Sequence, residues 1–208
     1  MYRGEWFAAI ALGVAVASLG GPLLARAYNN FDNISCRWSN PDDVAIVYWK
    51  DDPSYPPSGD YVSAFSQARA SWNNAATSAI FVPTASNYTW GVRDYGDTSG
   101  NLLGFVSGTC SSNNPWNYYN LYANSGELDS DAQWTHIFYK QLVGAHEGGH
   151  VIALGHSAVT PAVMHGGPTP GFRLTPYPGG AYNGPLADDE CGVNTMYTSM
   201  YYPPSCGY

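Results

Sequence analysis

The chain is short of positive charge. Eight Lys and Arg stand against sixteen Asp and Glu in 208 residues, a formal net charge of −8 with the histidines neutral. No basic cluster relieves that deficit, so the electrostatic footprint needed by nucleic acid or an anionic membrane surface is missing. Histidine is scarcer still, with five in all and none before His136. Cysteine is limited to Cys36, Cys110, Cys191 and Cys206. Four is an even count that suits an oxidising compartment and two disulfides, and sequence alone permits any of the three pairings. No internal repeat or heptad pattern is present, which excludes solenoids and coiled coils.

One uncharged apolar run exists, Trp6 to Ala25. Arg3 precedes it, Phe7 to Leu19 form its core, and Ala25-Arg26-Ala27 offers small residues for cleavage. Gly20-Gly21-Pro22 interrupts the run and leaves it below the roughly 20 apolar residues that span a bilayer. Residues 1–27 therefore read as a secretory signal peptide. Residues 28–208 are expected to be a single secreted, extracellular domain with no stable membrane association after cleavage. That length is enough for a proper core.

Within the domain, Val44–Trp49 reads as a buried strand, and residues 80–83, 88–94, 102–107 and 119–123 as further strands. Val62, Phe65, Ala68 and Trp72 recur at helical spacing behind Asp60 or Ser58 as cap, and predict a helix that packs on the sheet. A second helix is expected from about residue 134 or 136 to Leu154, with Leu142, Val143, Val151 and Leu154 inward. Asp188-Asp189-Glu190 opens a capped final helix. Residues 28–41 read as an irregular lead-in. The Asp94–Gly100 loop pairs Asp with Gly and is a candidate Ca²⁺ site with Asp129 and Asp131 as distant helpers, although solvated turn carboxylates are commoner.

The chemistry concentrates in residues 139–164, YKQLVGAHEGGHVIALGHSAVTPAVM. His146 and His150 are four apart, so a helix projects both imidazoles from one face, about 6 Å apart. That spacing suits two nitrogen ligands on one Zn²⁺. Glu147 stands beside the first ligand, able to reach water at the metal rather than the metal itself. Gly155 is expected to take the positive φ that stops the helix, after which His156 returns to the same ion. Three neutral nitrogens with one open position mark a catalytic rather than a structural zinc site.

With Gly155 read as the glycine of H-E-x-x-H-x-x-G-x-x-H, and with Met164 in AVMHGG downstream, this run resembles the metzincin metallopeptidases. Ser157 after the third histidine, and LADDECGVNTMY from Leu186 to Tyr197, look most like the matrixin branch. The resemblance implies an α+β fold: a small mixed, twisted sheet, about three helices, and an active-site cleft between an upper lobe of about residues 28–156 and a smaller lower lobe of about 157–208. It implies a zinc-dependent endopeptidase acting on protein or peptide as a monomer, with His146, His150 and His156 on one catalytic Zn²⁺ and Glu147 as general base toward a zinc-activated water. Met164 would form an apolar floor beneath the ligands, and Asp188 and Asp189 would tie the last helix to the methionine turn.

Gly104, Phe105 and Val106 would lie on a sheet-edge strand above the cleft and pair with an extended substrate. Phe172, Leu174, Tyr177 and Tyr182 would wall the specificity pocket. The pairing Cys191–Cys206 would pin the tail to the last helix, and Cys36–Cys110 would join the first strand to the cleft-side loop. Animal matrixins carry a second, structural zinc, for which this chain lacks the histidines. The alternatives to a peptidase are a catalytically silent zinc-containing binding module and a zincin acting on a non-protein amide.

Overall fold

A computed structural model of the chain describes residues 28–30, 45–51, 60–84, 90–94, 103–108, 119–130, 137–157, 162–165 and 184–197. The expected leader, residues 1–27, lies outside them. So do Asp97, Gly100 and Asp131 of the calcium reading, the four wall residues, His136, Cys36, Cys110 and Cys206. Cys191 is disulfide-bonded, its partner outside the described residues. Among the described residues no helix is long and apolar enough to cross a membrane.

The fold is mixed α/β. Strands β2 (Ala45–Asp51), β3 (Ala79–Pro83), β4 (Trp90–Asp94), β5 (Gly104–Gly108) and β6 (Tyr119–Ala123) form one sheet in the order β3-β2-β4-β6-β5, after a short β1 (Tyr28–Asn30). All its pairings are parallel except β5 with β6, so the sheet ends on an antiparallel edge. Alternation decides its faces. Ala45 and Val47 of β2 turn inward, fully buried, while Tyr48 points out.

Helix α1 (Tyr61–Asn74) and helix α3 (Ile137–Val151) pack together under the sheet, with a short α2 (Ser125–Ser130) between them in sequence. Among the described residues three helices run eleven residues or more: α1, α3 and α4 (Ala187–Tyr197). The buried face of α1 is Tyr61, Ala64, Phe65, Ala68, Arg69 and Trp72. Val62, expected in that stripe, is instead 42% exposed. At 100° per residue it lies about 90° round from the stripe's centre, and Tyr61 and Ala64 take its place.

The α1–α3 contact is close because α3 offers glycines to it. A methyl group at Gly144 would come within 3.1 Å of Ala68 and Phe65, and one at Gly148 within 3.3 Å of the Trp72 indole nitrogen. The Trp72 ring is fully buried and its Nε1–H donates to the Ala145 carbonyl at 2.9 Å. Burying a side chain of this size contributes on the order of 2–3 kcal/mol, provided its N–H finds an acceptor. At the start of α3, the buried Lys140 ammonium donates to Asp60 at 2.8 Å and Asp129 at 2.7 Å, and sits 4.1 Å from the Tyr61 ring centre. Asp129, read as a calcium helper, thus serves as an anchor joining α2 to α3. Asp60 makes no side-chain cap bond to α1, because its carboxylate goes to Lys140.

Two expectations about chain ends change. Helix α3 stops at Val151 rather than Leu154, and residues 154–157 form strand β7 (Leu154–Ser157). The stretch 28–41, read as irregular, begins with β1, which pairs antiparallel with β7, Tyr28 opposite Ser157 and Asn30 opposite Leu154. Neither strand shows a strong apolar alternation, and each exists because the other is there. Helix α4 closes the back of the site: the Tyr197 hydroxyl donates to the Ile152 carbonyl at 2.9 Å. Asn194 accepts from the Ser78 backbone at 2.9 Å and donates to the Ala76 carbonyl at 2.7 Å.

Candidate metal centre

Two of the three imidazoles come from one face of α3 and the third from β7. His146 and His150 are buried and His156 is exposed. Ring centres lie 4.9 Å apart for His146–His150, 5.2 Å for His146–His156 and 4.9 Å for His150–His156. The three potential ligand nitrogens all fall within 4.8 Å of one another. All three histidines singled out from the sequence are therefore brought together.

Hydrogen bonds set the tautomers. His146 Nδ1 lies 2.7 Å from the Val163 carbonyl, and His150 Nδ1 lies 2.7 Å from the Leu154 carbonyl. A carbonyl only accepts, so each Nδ1 carries the proton and each Nε2 keeps its lone pair. His146 Nε2 and His156 Nε2 face each other at 3.2 Å. Two nitrogens each about 2.0–2.1 Å from a tetrahedral ion would be roughly 3.3 Å apart, so this spacing suits a shared metal ion. The neighbouring orphan points the same way: Glu147 Oε2 is buried with no hydrogen-bond partner. A buried carboxylate oxygen without a donor is costly unless a cation or a water meets it.

Electrostatics agree. Burial drives the His146 pKa down to about 4, aided by His156 and His165 and opposed by the Val163 carbonyl. Burial also holds His150 well below its ordinary value, and lowers His156, which His165 depresses further. The trio is therefore neutral at pH 7 and ready to donate lone pairs. Burial pushes Glu147 up to about 8, which makes it a strong base wherever it is ionised.

Gly155 is not the residue that ends the helix. The left-handed residue is Ala153, φ 71°, whose N–H bonds the His150 carbonyl at 2.9 Å. In the metzincin pattern the glycine stands three residues after the second histidine, which here is position 153, occupied by alanine. Gly155 lies two residues further on, within β7. Counting from His150 would have found this from the sequence.

Met164 is buried beneath α3. A methyl group on Gly149 would overlap the Met164 sulfur, so that glycine is what admits the methionine. The turn holding Met164 is fastened by Asp189, which accepts from the backbone N–H groups of Val163 at 2.8 Å, Met164 at 2.9 Å and Leu186 at 2.9 Å. Asp188 accepts from the Ser157 hydroxyl at 2.6 Å. Asp189 thus makes the tie between α4 and the methionine turn that was implied for both aspartates, while Asp188 fastens α4 to β7 through Ser157. The Leu154 and Val163 carbonyls, which orient the rings, carry no side-chain signal and were invisible in the sequence.

Gly104 is buried against the site. A methyl group there would meet the Tyr122 carbonyl at 3.0 Å and Glu147 Cγ and Val143 Cγ1 at 3.1 Å. Asn124 N–H bonds the Leu103 carbonyl at 3.0 Å, so by antiparallel alternation the backbone groups of Gly104 and Val106 point away from β6. Among the described residues no strand pairs with that outer edge. Phe105 turns to the opposite face and stacks on Tyr122, ring centres 4.5 Å apart.

No protein-family model matches the chain, and no curated protein matches it significantly.

Proposed function

We propose that the chain is a secreted zinc-dependent endopeptidase on the metzincin plan, nearest the matrixin branch. The reading is carried by one observation: a buried glutamate with an unpartnered oxygen, Glu147, stands beside three imidazoles whose ligand nitrogens converge within 4.8 Å of one another. The departure at Ala153 leaves this intact, because the pattern needs a positive φ there and Ala153 has one. His146, His150 and His156 would hold the metal. Zinc on three histidine nitrogens supplies a Lewis acid that polarises a carbonyl and lowers the pKa of water from 15.7 to about 7.

The chain's own residues do the rest. Glu147 removes the proton from the attacking water and returns it to the departing amine nitrogen. Its raised pKa favours holding that proton between the two steps. The outward backbone groups of Gly104 and Val106 offer an extended peptide a strand to pair with, directly above Glu147. Met164 forms an apolar floor that keeps the ligand helix and its turn in register.

The test is metal content together with cleavage of a peptide library by the purified chain, with and without chelator. One zinc per chain and chelator-sensitive cleavage are expected. Glu147→Gln should retain zinc and lose hydrolysis by about 10²–10⁴-fold. A fully active Glu147→Gln variant refutes the assignment, and zinc uptake without any cleavage by the wild type makes the chain a binding module instead.

A further inference from the structure

The five-stranded sheet has two edges, β5 beside the candidate metal centre and β3 at its other end. Two backbone bonds fix how β3 lies. The Ser78 carbonyl accepts from Ala45 N–H at 2.7 Å, and Thr84 N–H donates to the Trp49 carbonyl at 2.9 Å. Alternation along the strand then turns the backbone groups of Ile80 and Val82 toward β2 as well, and leaves those of Ala79, Phe81 and Pro83 facing outward. An outward row of this kind is a template on which a second chain can add a strand. Among the described residues no strand lies against it.

One side chain occupies the centre of the row. Asn73, in the last turn of α1, accepts from Phe81 N–H at 2.7 Å and donates through Nδ2 to the Phe81 carbonyl at 2.9 Å. Both bonds fix the orientation of the amide, since a backbone N–H only donates and a carbonyl only accepts. A carboxamide carries the donor and acceptor of a peptide unit, so Asn73 makes the bonds that a residue of a neighbouring strand would make. Flanking positions offer little: Pro83 has no N–H, and the Thr77 hydroxyl reaches the Ala79 carbonyl at 3.5 Å. Beside this edge the solvent face is apolar, with Ile80 and Tyr48 each 44% exposed. An open edge next to such a strip would invite pairing.

We infer that Asn73 guards this edge: its carboxamide takes the place of a neighbouring strand on Phe81 and keeps two copies of the chain from joining β3 to β3. Without it, Phe81 of one copy would exchange both backbone bonds with Phe81 of the other in an antiparallel two-fold pair, Ala79 opposite Pro83. Strand addition is thereby left to the β5 edge, where Gly104 and Val106 face outward. The inference concerns association alone and stands apart from the peptidase reading.

Asn73→Ala in the full chain tests this. Asn73 is exposed, so its truncation leaves the Phe81 groups to water rather than burying them. Asn73→Ser, too short to span both groups, takes its place if the alanine variant does not fold. Mass is read by sedimentation equilibrium up to about 1 mM, where even a dimer with a Kd of about 1 mM is visible. Wild type should stay at the mass of one chain. Asn73→Ala should shift toward twice that mass as concentration rises, with an unchanged circular dichroism spectrum. Adding Ile80→Lys sets a charge in the strip that pairing would cover, and should return the variant to one chain. A folded variant that stays at one chain throughout overturns the inference. Association that Ile80→Lys leaves unchanged also overturns it, because the contact then lies elsewhere. So does a wild type whose own dimer Ile80→Lys breaks.

Discussion

Met164 occupies the space that any side chain at Gly149 would claim: a methyl group there would overlap its sulfur. Gly149 is the residue before His150, so the seat of Met164 and a candidate metal ligand share one piece of helix. Gly149→Ala should force Met164 aside and destabilise the fold by roughly 1–3 kcal/mol, as overpacking in a tight core does. The intrinsic gain of alanine over glycine in a helix, up to about 1 kcal/mol, is too small to offset this. Denaturant titration checks it, and adding Met164→Ala should recover part of the loss because the two residues are in contact. Additive effects would mean that they do not touch.

Asp188 and Asp189 are adjacent and buried, yet they should respond differently to loss of charge. Both oxygens of Asp189 accept backbone N–H groups, from Val163, Met164 and Leu186, and those bonds partly offset the upward pull of burial on its pKa. Asp189→Asn replaces one acceptor with a donor facing an N–H, and should cost about 1.5–3 kcal/mol. It should also loosen Val163, whose carbonyl orients His146. Asp188 uses Oδ2 for Ser157, while Oδ1 is buried without a partner. Asp188→Asn keeps the accepting oxygen and removes a desolvated charge, so its cost should be within about 1 kcal/mol. Equal losses on thermal unfolding would contradict this division.

Much of the centre was legible because its chemistry sits in side chains with fixed spacing. His146 and His150 declare themselves by the four-residue interval, and His156 and Glu147 by what a zinc site needs. Residues 119–123 read as a strand and form one, because an aromatic, β-prone run between turn residues leaves little alternative. What was not legible depends on partners far away in sequence. Val62 looked as apolar as its neighbours, and only the phase of the helix against α3 turns it outward. Tyr28–Asn30 has no strand signal of its own and becomes β1 by pairing with β7. Ala153 is the instructive case: composition suggests glycine at a left-handed position, and the nearest glycine, Gly155, drew that role, although tertiary fastening lets alanine hold it.

The metal-free protein should lose stability as pH rises from 6.5 toward 8. His146, His150 and His156 have pKa values depressed from an ordinary 6.5, His146 to about 4, so unfolding takes up protons as pH falls below 6.5 and stability declines. Glu147, raised from an ordinary 4.5 to about 8, works the other way. Its neutral form favours the fold, a contribution full below 4.5 and lost as pH rises toward 8. Below 6.5 the histidines pull stability down against Glu147 and the raised Asp188 and Asp189, and above 6.5 the histidine contribution is complete while that of Glu147 is still being lost, so stability falls toward 8. Calorimetry in chelator across pH 4.5–8.5 tests this, and Glu147→Gln should remove the decline above 6.5. A wild-type profile that still rises from 6.5 to 8 would show that Glu147 is ionised in the metal-free fold.

At Gly104 the outer strand rests on Glu147, the base of the proposed reaction. A methyl group there would be tight against three atoms at once: the Tyr122 carbonyl, Val143 Cγ1 and Glu147 Cγ. The Tyr122 oxygen belongs to paired backbone and Val143 is fully buried, so the Glu147 side chain is the partner freest to move. Gly104→Ala should therefore shift the carboxylate by a fraction of an ångström without touching a histidine. Misplacement of a catalytic group on that scale costs about 10- to 100-fold in rate. For the proposed peptidase the loss should fall on kcat, with KM changed less than about threefold, because the outward backbone groups of Gly104 and Val106 still meet the substrate. Zinc content should equal wild type, which separates a displaced base from a damaged metal site. An unchanged kcat would mean that β5 yields instead of Glu147, and the strand would then be a softer support for substrate than its packing suggests.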